Sequence, residues 1–227
     1  MNIELLTVGP YEVNCAIIWG EAKTALVIDP GADADNIETV LQKNGLTVTA
    51  YLLTHGHVDH ISALAELHTA RPAPVYLHAD DEKWAFSEKN QIPPYYPVPR
   101  KPDTEFLHPG NVKTFDELKR LYAIECLETP GHTPGCVCYW FKEAGVCFTG
   151  DTLFKESCGR TDLPGGDART LTASLKKLAE TLPSETRIIA GHGEESTMAH
   201  ELATNFFLQK FNPQPTESEH NTIQKRA

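Results

Sequence analysis

The segment THGHVDH, residues 54–60, decides how the rest of the chain is read. It sits on the junction between VTAYLLTH, residues 48–55, a short apolar run that reads as a buried strand, and a helix beginning at Asp59. Ile61, Leu64, Ala65 and Leu67 recur on one face of that helix. His55 and His57 stand two apart, so on extended backbone both imidazoles point to one side and form a chelating pair. Asp59 and His60 fall in the first helical turn and approach the same pocket from another direction. Gly56 leaves room for the backbone to turn beneath them. One histidine in an apolar stretch reads as a hydrogen-bonded core residue. Three histidines and an aspartate within six residues read as metal ligands.

Three further candidates each end a strand and begin a turn beside glycine: His132 in TPGHTPG, Asp151 in FTGDT and His192 in AGHG. With the first cluster they make an imidazole and carboxylate set without thiolates, which suits Zn, Fe, Mn or Co. The count fits two divalent ions with positions left for water; Zn is the expected metal, Fe or Mn the alternatives. The expected division is His55, His57 and His132 on one ion, Asp59, His60 and His192 on the other, and the Asp151 carboxylate across both. In such pairs, ~3.5 to 4 Å apart, a bridging water ionises near neutral pH and supplies the nucleophile. Asp59 and Asp151 are accordingly the expected catalytic carboxylates.

Outward from the cluster, NIELLTV, NCAIIW and TALVIDP read as strands, and residues 33–44 as a helix with Ile37, Val40 and Leu41 on one face and Gly45 as its stop. PVYLH is a short strand. Residues 83–103 mix Trp84, Phe86, Tyr95 and Tyr96 with prolines and read as a long loop, either a cap over the substrate or a surface loop packed on its own rings. Strands follow at 121–128, 136–141 and 146–149, then a helix at 170–182, the strand RIIAGH and a helix at 196–209. Strands, helices, strands and helices in that order predict an α/β fold, a four-layer αββα sandwich, over residues 1–211. Residues 212–227 are polar and interrupted by proline, and are expected to be a mobile tail.

A net charge of -11 argues against a broad basic surface for nucleic acid or anionic membrane. No window approaches the roughly 20 apolar residues of a membrane span, and the first residues lack the pattern of an export signal, so a cytoplasmic protein is expected. The six cysteines form no CxxC pair and read as free thiols in a reducing compartment. Cys136 and Cys138 would share one strand face, as a metal pair or as core. Cys158 reads as a buried spectator or a reactive thiol. His68, His78, His108, His200 and His220 have no partner motif and read as structural or exposed.

THGHVDH, PGHTPG, GDTLF and GHG in combination resemble the metallo-β-lactamase superfamily, over residues 1–211, and most closely its glyoxalase II members, in the short form without an added helical domain. The resemblance implies the αββα fold and hydrolysis of a small-molecule thioester, S-lactoylglutathione or a related acyl-thiol, by a metal-bridging hydroxide. A thiolate leaves readily, so a dedicated general acid is not obligatory. Asp59 would orient the nucleophile as well as bind metal. Arg160 is a candidate for a substrate carboxylate, or a structural partner of Asp162. The CGRTD run, residues 158–162, also looks like persulfide dioxygenases, which would hold one iron through His55, His132 and Asp151. Lactamase-type amide hydrolysis and metal binding without turnover are the remaining readings.

Overall fold

Alternation on the strands builds the layers. Six strands, β1 (Asn2–Val8), β2 (Val13–Trp19), β3 (Thr24–Ile28), β4 (Thr47–Leu52), β5 (Val75–Tyr76) and β6 (Phe106–Leu107), pair in that order into one sheet. A second sheet is made of β7 (Ile124–Glu128), β8 (Val137–Phe141) and β9 (Val146–Gly150), with β12 (Arg187–Ala190) and β13 (Ser196–Thr197) continuing beyond β9. A two-stranded hairpin, β10 (Leu153–Phe154) with β11 (Ser157–Cys158), stands apart. The computed structural model describes residues 1–109 and 112–211; the tail expected at 212–227 lies outside the described residues.

On β2, Cys15, Ile17 and Trp19 join the cluster containing Ile37 and Leu41 of α1 (Ala34–Lys43), while Ala16 and Ile18 face the opposite way. That opposite face meets Tyr139, Phe141, Val146 and Phe148 of the second sheet, so the strands of the first sheet are apolar on both sides. Beyond the second sheet, Cys138, Cys147 and Ile188 pack against Leu171, Leu175 and Leu178 of α6 (Ala168–Thr181). Each such leucine contributes roughly 2 kcal/mol of burial. Three apolar interfaces between four layers give the expected αββα sandwich.

The boundaries depart from expectation where polar bonds intervene. The helix expected from Asp59 is two, α2 (Val58–Ile61) and α3 (Leu64–Ala70), because the Ala63 N–H turns outward to the Pro30 carbonyl at 3.1 Å. The segment 83–103 begins inside a helix, α4 (Ala79–Ala85), capped by the His78 side chain, which accepts from the Asp80 N–H. A helix the reading passed over, α5 (Val112–Tyr122), takes in Leu121 and Tyr122; Ala123, at φ +49°, breaks it from β7. The helix expected at 196–209 starts as β13, runs as α7 (Met198–Thr204) and ends where buried Asn205 donates to the Ser157 carbonyl and the Glu201 carboxylate.

Two parallel pairings, β3 with β4 and β9 with β12, bring the carboxyl ends of four strands to one end of the sandwich. Asn14 joins the sheets there: its N–H donates to the Gly191 carbonyl at 2.7 Å and its amide to the carbonyls of Ala190 and Gly193, each at 3.0 Å.

Candidate metal centre

Every ligand predicted from sequence arrives at that end. His55, His57, Asp59 and His60 follow β4, His132 lies between β7 and β8, Asp151 follows β9 and His192 follows β12. The Nδ1 of His57 lies 3.1 Å from Nε2 of His55 and 2.9 Å from Nε2 of His132. Across the site, Nε2 of His60 is 3.3 Å from Nε2 of His192, which is 3.4 Å from an Asp59 carboxylate oxygen. Asp151 spans the two groups: one oxygen is 3.5 Å from His132 and 3.6 Å from His192, the other 3.4 Å from His60. Three sets of donor atoms, His55 with His57 and His132, Asp59 with His60 and His192, and His55 with His60 and Asp151, each converge within 4.8 Å. This is the arrangement of a binuclear site.

The chemistry of the donors fits cations. The Nδ1–H groups of His132 and His192 donate to the backbone carbonyls of Arg160 and Tyr11, both at 2.8 Å, which turns each Nε2 lone pair inward. The His60 Nδ1–H donates to the Asp29 carboxylate at 3.0 Å, and the same carboxylate accepts from the Thr54 hydroxyl and N–H. Among the described residues, one buried Asp151 oxygen has no hydrogen-bond partner. Burial, reinforced by the neighbouring imidazoles, keeps His55 neutral, its pKa well below the ordinary value, and moves His57 down to about 4. Burial alone would raise Asp59 and Asp151; His60 and His192 outweigh it and keep both carboxylates ionised. Neutral imidazoles and ionised carboxylates are the forms that bind metal; at His60 and His192 burial is outweighed by Asp151 and Asp59, so their pKa is raised and each gives up a proton as a cation enters.

Glycines let this cluster close. A Cβ on Gly191 would stand 2.2 Å from the Asp151 carboxylate. Gly56 serves differently from the turn expected of it: a Cβ there would meet Ala85 at 3.0 Å and Asp81 at 3.1 Å, so the constraint is close approach to α4.

The cluster forms the floor of a cavity of about 900 Å³, with Tyr11, Trp84, Ile92, Pro134, Leu163 and Arg160 among its walls. The segment 83–103 divides. Trp84 reaches His57, ring centroids 5.3 Å apart, and Lys89 to Ile92 line the cavity, whereas Tyr95 and Tyr96 pack on Tyr11. Arg160 is brought to the wall, yet its guanidinium makes two 2.7 Å bonds to Asp162. The half-buried Cys158 packs against the α6 cluster, and burial raises its thiol pKa. Cys136 and Cys138 bond to threonines, Thr133 and Thr129, and among the described residues no cysteine belongs to a ligand group. His68, His78, His108 and His200 also stand outside those groups; His220 lies outside the described residues.

Sequence reasoning missed Asp29, Asp81, Asn90 and the Tyr11 carbonyl. Asp29 follows TALVI, where an acid after four apolar residues is the signal that a buried partner awaits it. Asp81 is fully buried and accepts from Gly56 N–H at 2.9 Å, Gly135 N–H at 2.8 Å and the Thr133 hydroxyl at 2.6 Å. Its pKa rises because burial outweighs those donors. Asn90, also buried, accepts from the Val58 N–H at 3.0 Å and donates to the Gly56 carbonyl at 2.8 Å.

An αββα sandwich with two histidine groups joined by one carboxylate at its strand ends defines a metal-dependent hydrolase. The chain belongs to the metallo-beta-lactamase superfamily, whose model matches residues 8–192. It is 34% identical over 212 residues to the hydroxyacylglutathione hydrolase GloC of Haemophilus influenzae, covering 92% of this chain and 98% of that one. Among solved structures it is similar to TTHA1623 in a di-iron-bound form, 37% identical with a TM-score of 0.77, covering 90% of this chain and all of that one, 100%. BLEG-1, a B3 metallo-beta-lactamase, is 34% identical with a TM-score of 0.79, covering 91% and 99%.

Proposed function

We propose that the protein hydrolyses a small-molecule thioester, an acyl-glutathione or a related acyl-thiol, at a centre of two divalent ions, zinc or iron. The observation that carries this reading is the Asp151 carboxylate reaching histidines of both groups on the floor of an open cavity. His55, His57 and His132 would hold one ion, Asp59, His60 and His192 the other, with Asp151 shared. When bound, such a pair supplies an ionised bridging water near neutral pH and Lewis acidity toward a carbonyl oxygen.

The chain's own groups then do the positioning. The Asp59 carboxylate, held ionised, accepts a hydrogen bond from the attacking water and orients it. Trp84, Ile92 and Leu163 seat the acyl chain and exclude bulk water. The Arg160 guanidinium takes a carboxylate of the thiol carrier in exchange for Asp162. The leaving thiolate needs no proton donor. The similarity to GloC supports a glutathione-linked substrate; TTHA1623 in its di-iron-bound form supports iron as one of the metals.

A mononuclear oxygenase using His55, His132 and Asp151 draws less support, since it leaves the convergence of Asp59, His60 and His192 without a role. The test is a screen of S-lactoylglutathione and acyl-CoA thioesters with protein loaded with Zn or Fe, with oxygen uptake on glutathione persulfide in parallel. Thiol release from a thioester is expected. Absence of hydrolysis with either metal would sink the reading.

A further inference from the structure

We propose that Asp81, a residue of α4 that touches no substrate and binds no metal, is a positioning residue that fixes the three-histidine half of the centre independently of the other half. Among the described residues, the hydrogen bonds of its two carboxylate oxygens reach only the loops that carry those histidines. Gly56 lies between His55 and His57, and Thr133 and Gly135 follow His132. One oxygen takes Gly56 N–H together with the Thr133 hydroxyl, so a single atom ties the two loops to each other.

The fit is close. A Cβ on Gly135 would stand 2.7 Å from the Asp81 carboxylate, and one on Gly56 would stand 3.1 Å from the Asp81 Cβ. On the other side of the Gly56 peptide, Asn90 holds its carbonyl, so neither end of that unit can rotate without losing a buried bond. Among the described residues no cation lies within ion-pair distance of Asp81. A buried carboxylate held by three neutral donors, with His78 at the start of α4 a smaller influence, is a costly way to join two loops, and a hydrophobic contact would not fix their register. Asp29 and the Tyr11 carbonyl serve His60 and His192 instead, and neither is bonded to Asp81.

The assignment rests on the binuclear division of ligands, but its test reads metal affinity, so it stands or falls separately from thioester hydrolysis. Zn2+ dissociation constants for both sites are measured by chelator competition, with stoichiometry by elemental analysis, in the full chain carrying Asp81→Asn. The amide places an N–H against an N–H or O–H donor whichever way it lies. The affinity of the first ion is expected to fall by about 10 to 100-fold and that of the second to stay put. The same substitution in a His132→Ala background should leave the remaining ion's affinity unchanged, and in a His192→Ala background should weaken it.

A merely structural Asp81 would lower the melting temperature of the metal-free chain and leave both constants alone. That result, or equal weakening of both ions, overturns the proposal. Should Asp81→Asn fail to fold, Thr133→Val and Thr133→Ser decide it: valine is expected to weaken the first ion severalfold and serine to restore it. Equal constants for the two variants would likewise overturn it.

Discussion

The two halves of the centre are built from different materials. In one, three imidazoles meet, and the groups behind them are neutral where they touch: the Thr54 hydroxyl 3.1 Å from Nδ1 of His55, and the Arg160 carbonyl on His132. In the other, Asp59 stands among the ligands and the Asp29 carboxylate stands behind His60. Each half has one half-buried ligand at the cavity, His57 against Trp84 in the first and His192, 27% exposed, in the second. A cation in the first half is held by geometry, which is why the loops carrying those histidines are pinned from α4. A cation in the second half is held more by charge. Asp151 is the one group common to both.

That contrast is sharpest at Asp151. Asp151→Ala is expected to reduce bound metal to one ion or fewer per chain and to lower thioester turnover by at least ~10³-fold, the upper range for one lost electrostatic stabiliser. Elemental analysis with steady-state kinetics checks it, and retention of two ions would mean the halves are independent. Asp29→Asn removes the carboxylate behind His60. The second ion is expected to weaken about 10 to 100-fold. The first ion should weaken less, by way of Thr54 and its contact with His55. Chelator competition measures both constants, and a larger loss at the first ion would invert the comparison.

These two aspartates also mark how far the sequence could be read. The ligands were legible because metal binding demands particular atoms, and THGHVDH, His132, Asp151 and His192 carry them next to glycine at strand ends. The four layers were legible from the order of strands, helices, strands and helices, and β2, apolar on both faces, carries two of the interfaces. Asp81 was not legible, because a solvated helix face and a buried carboxylate look alike in HADDEK; only the approach of Gly56 and Gly135 separates Asp81 from Asp80. The break between α2 and α3 was equally hidden, since it depends on the Pro30 carbonyl, more than thirty residues upstream of Ala63. Local pattern names the atoms that do chemistry. The atoms that hold them come from tertiary packing.

A smaller effect is expected at the cavity wall on the first half. Trp84→Ala removes the ring that stands against His57 and faces the substrate, so KM should rise about tenfold, equivalent to roughly 1.4 kcal/mol of lost binding. The turnover number should change little, because the ring contributes to ground state and transition state alike. Equal falls in kcat and kcat/KM would instead place Trp84 in the positioning of His57.

The smallest effect belongs to a carboxylate outside the centre altogether, and it serves as the control for the two buried aspartates. Glu38 on α1 accepts two bonds from the Arg71 guanidinium, at 2.6 and 2.7 Å, with both side chains 24% exposed. The Arg71 bonds hold the Glu38 carboxyl below its ordinary value, outweighing partial burial. A carboxyl with a depressed pKa in the folded state stabilises fully above its unfolded pKa and loses that contribution as pH falls through the folded one. Glu38→Gln is therefore expected to cost about 1 kcal/mol at neutral pH, the upper range for a partly exposed pair. The difference from the parent should shrink below about pH 4.3, the ordinary glutamate value. Denaturant unfolding across that range measures it. Both metal constants should be untouched, so a change in either would show that the layer of helices beyond the first sheet reaches the centre.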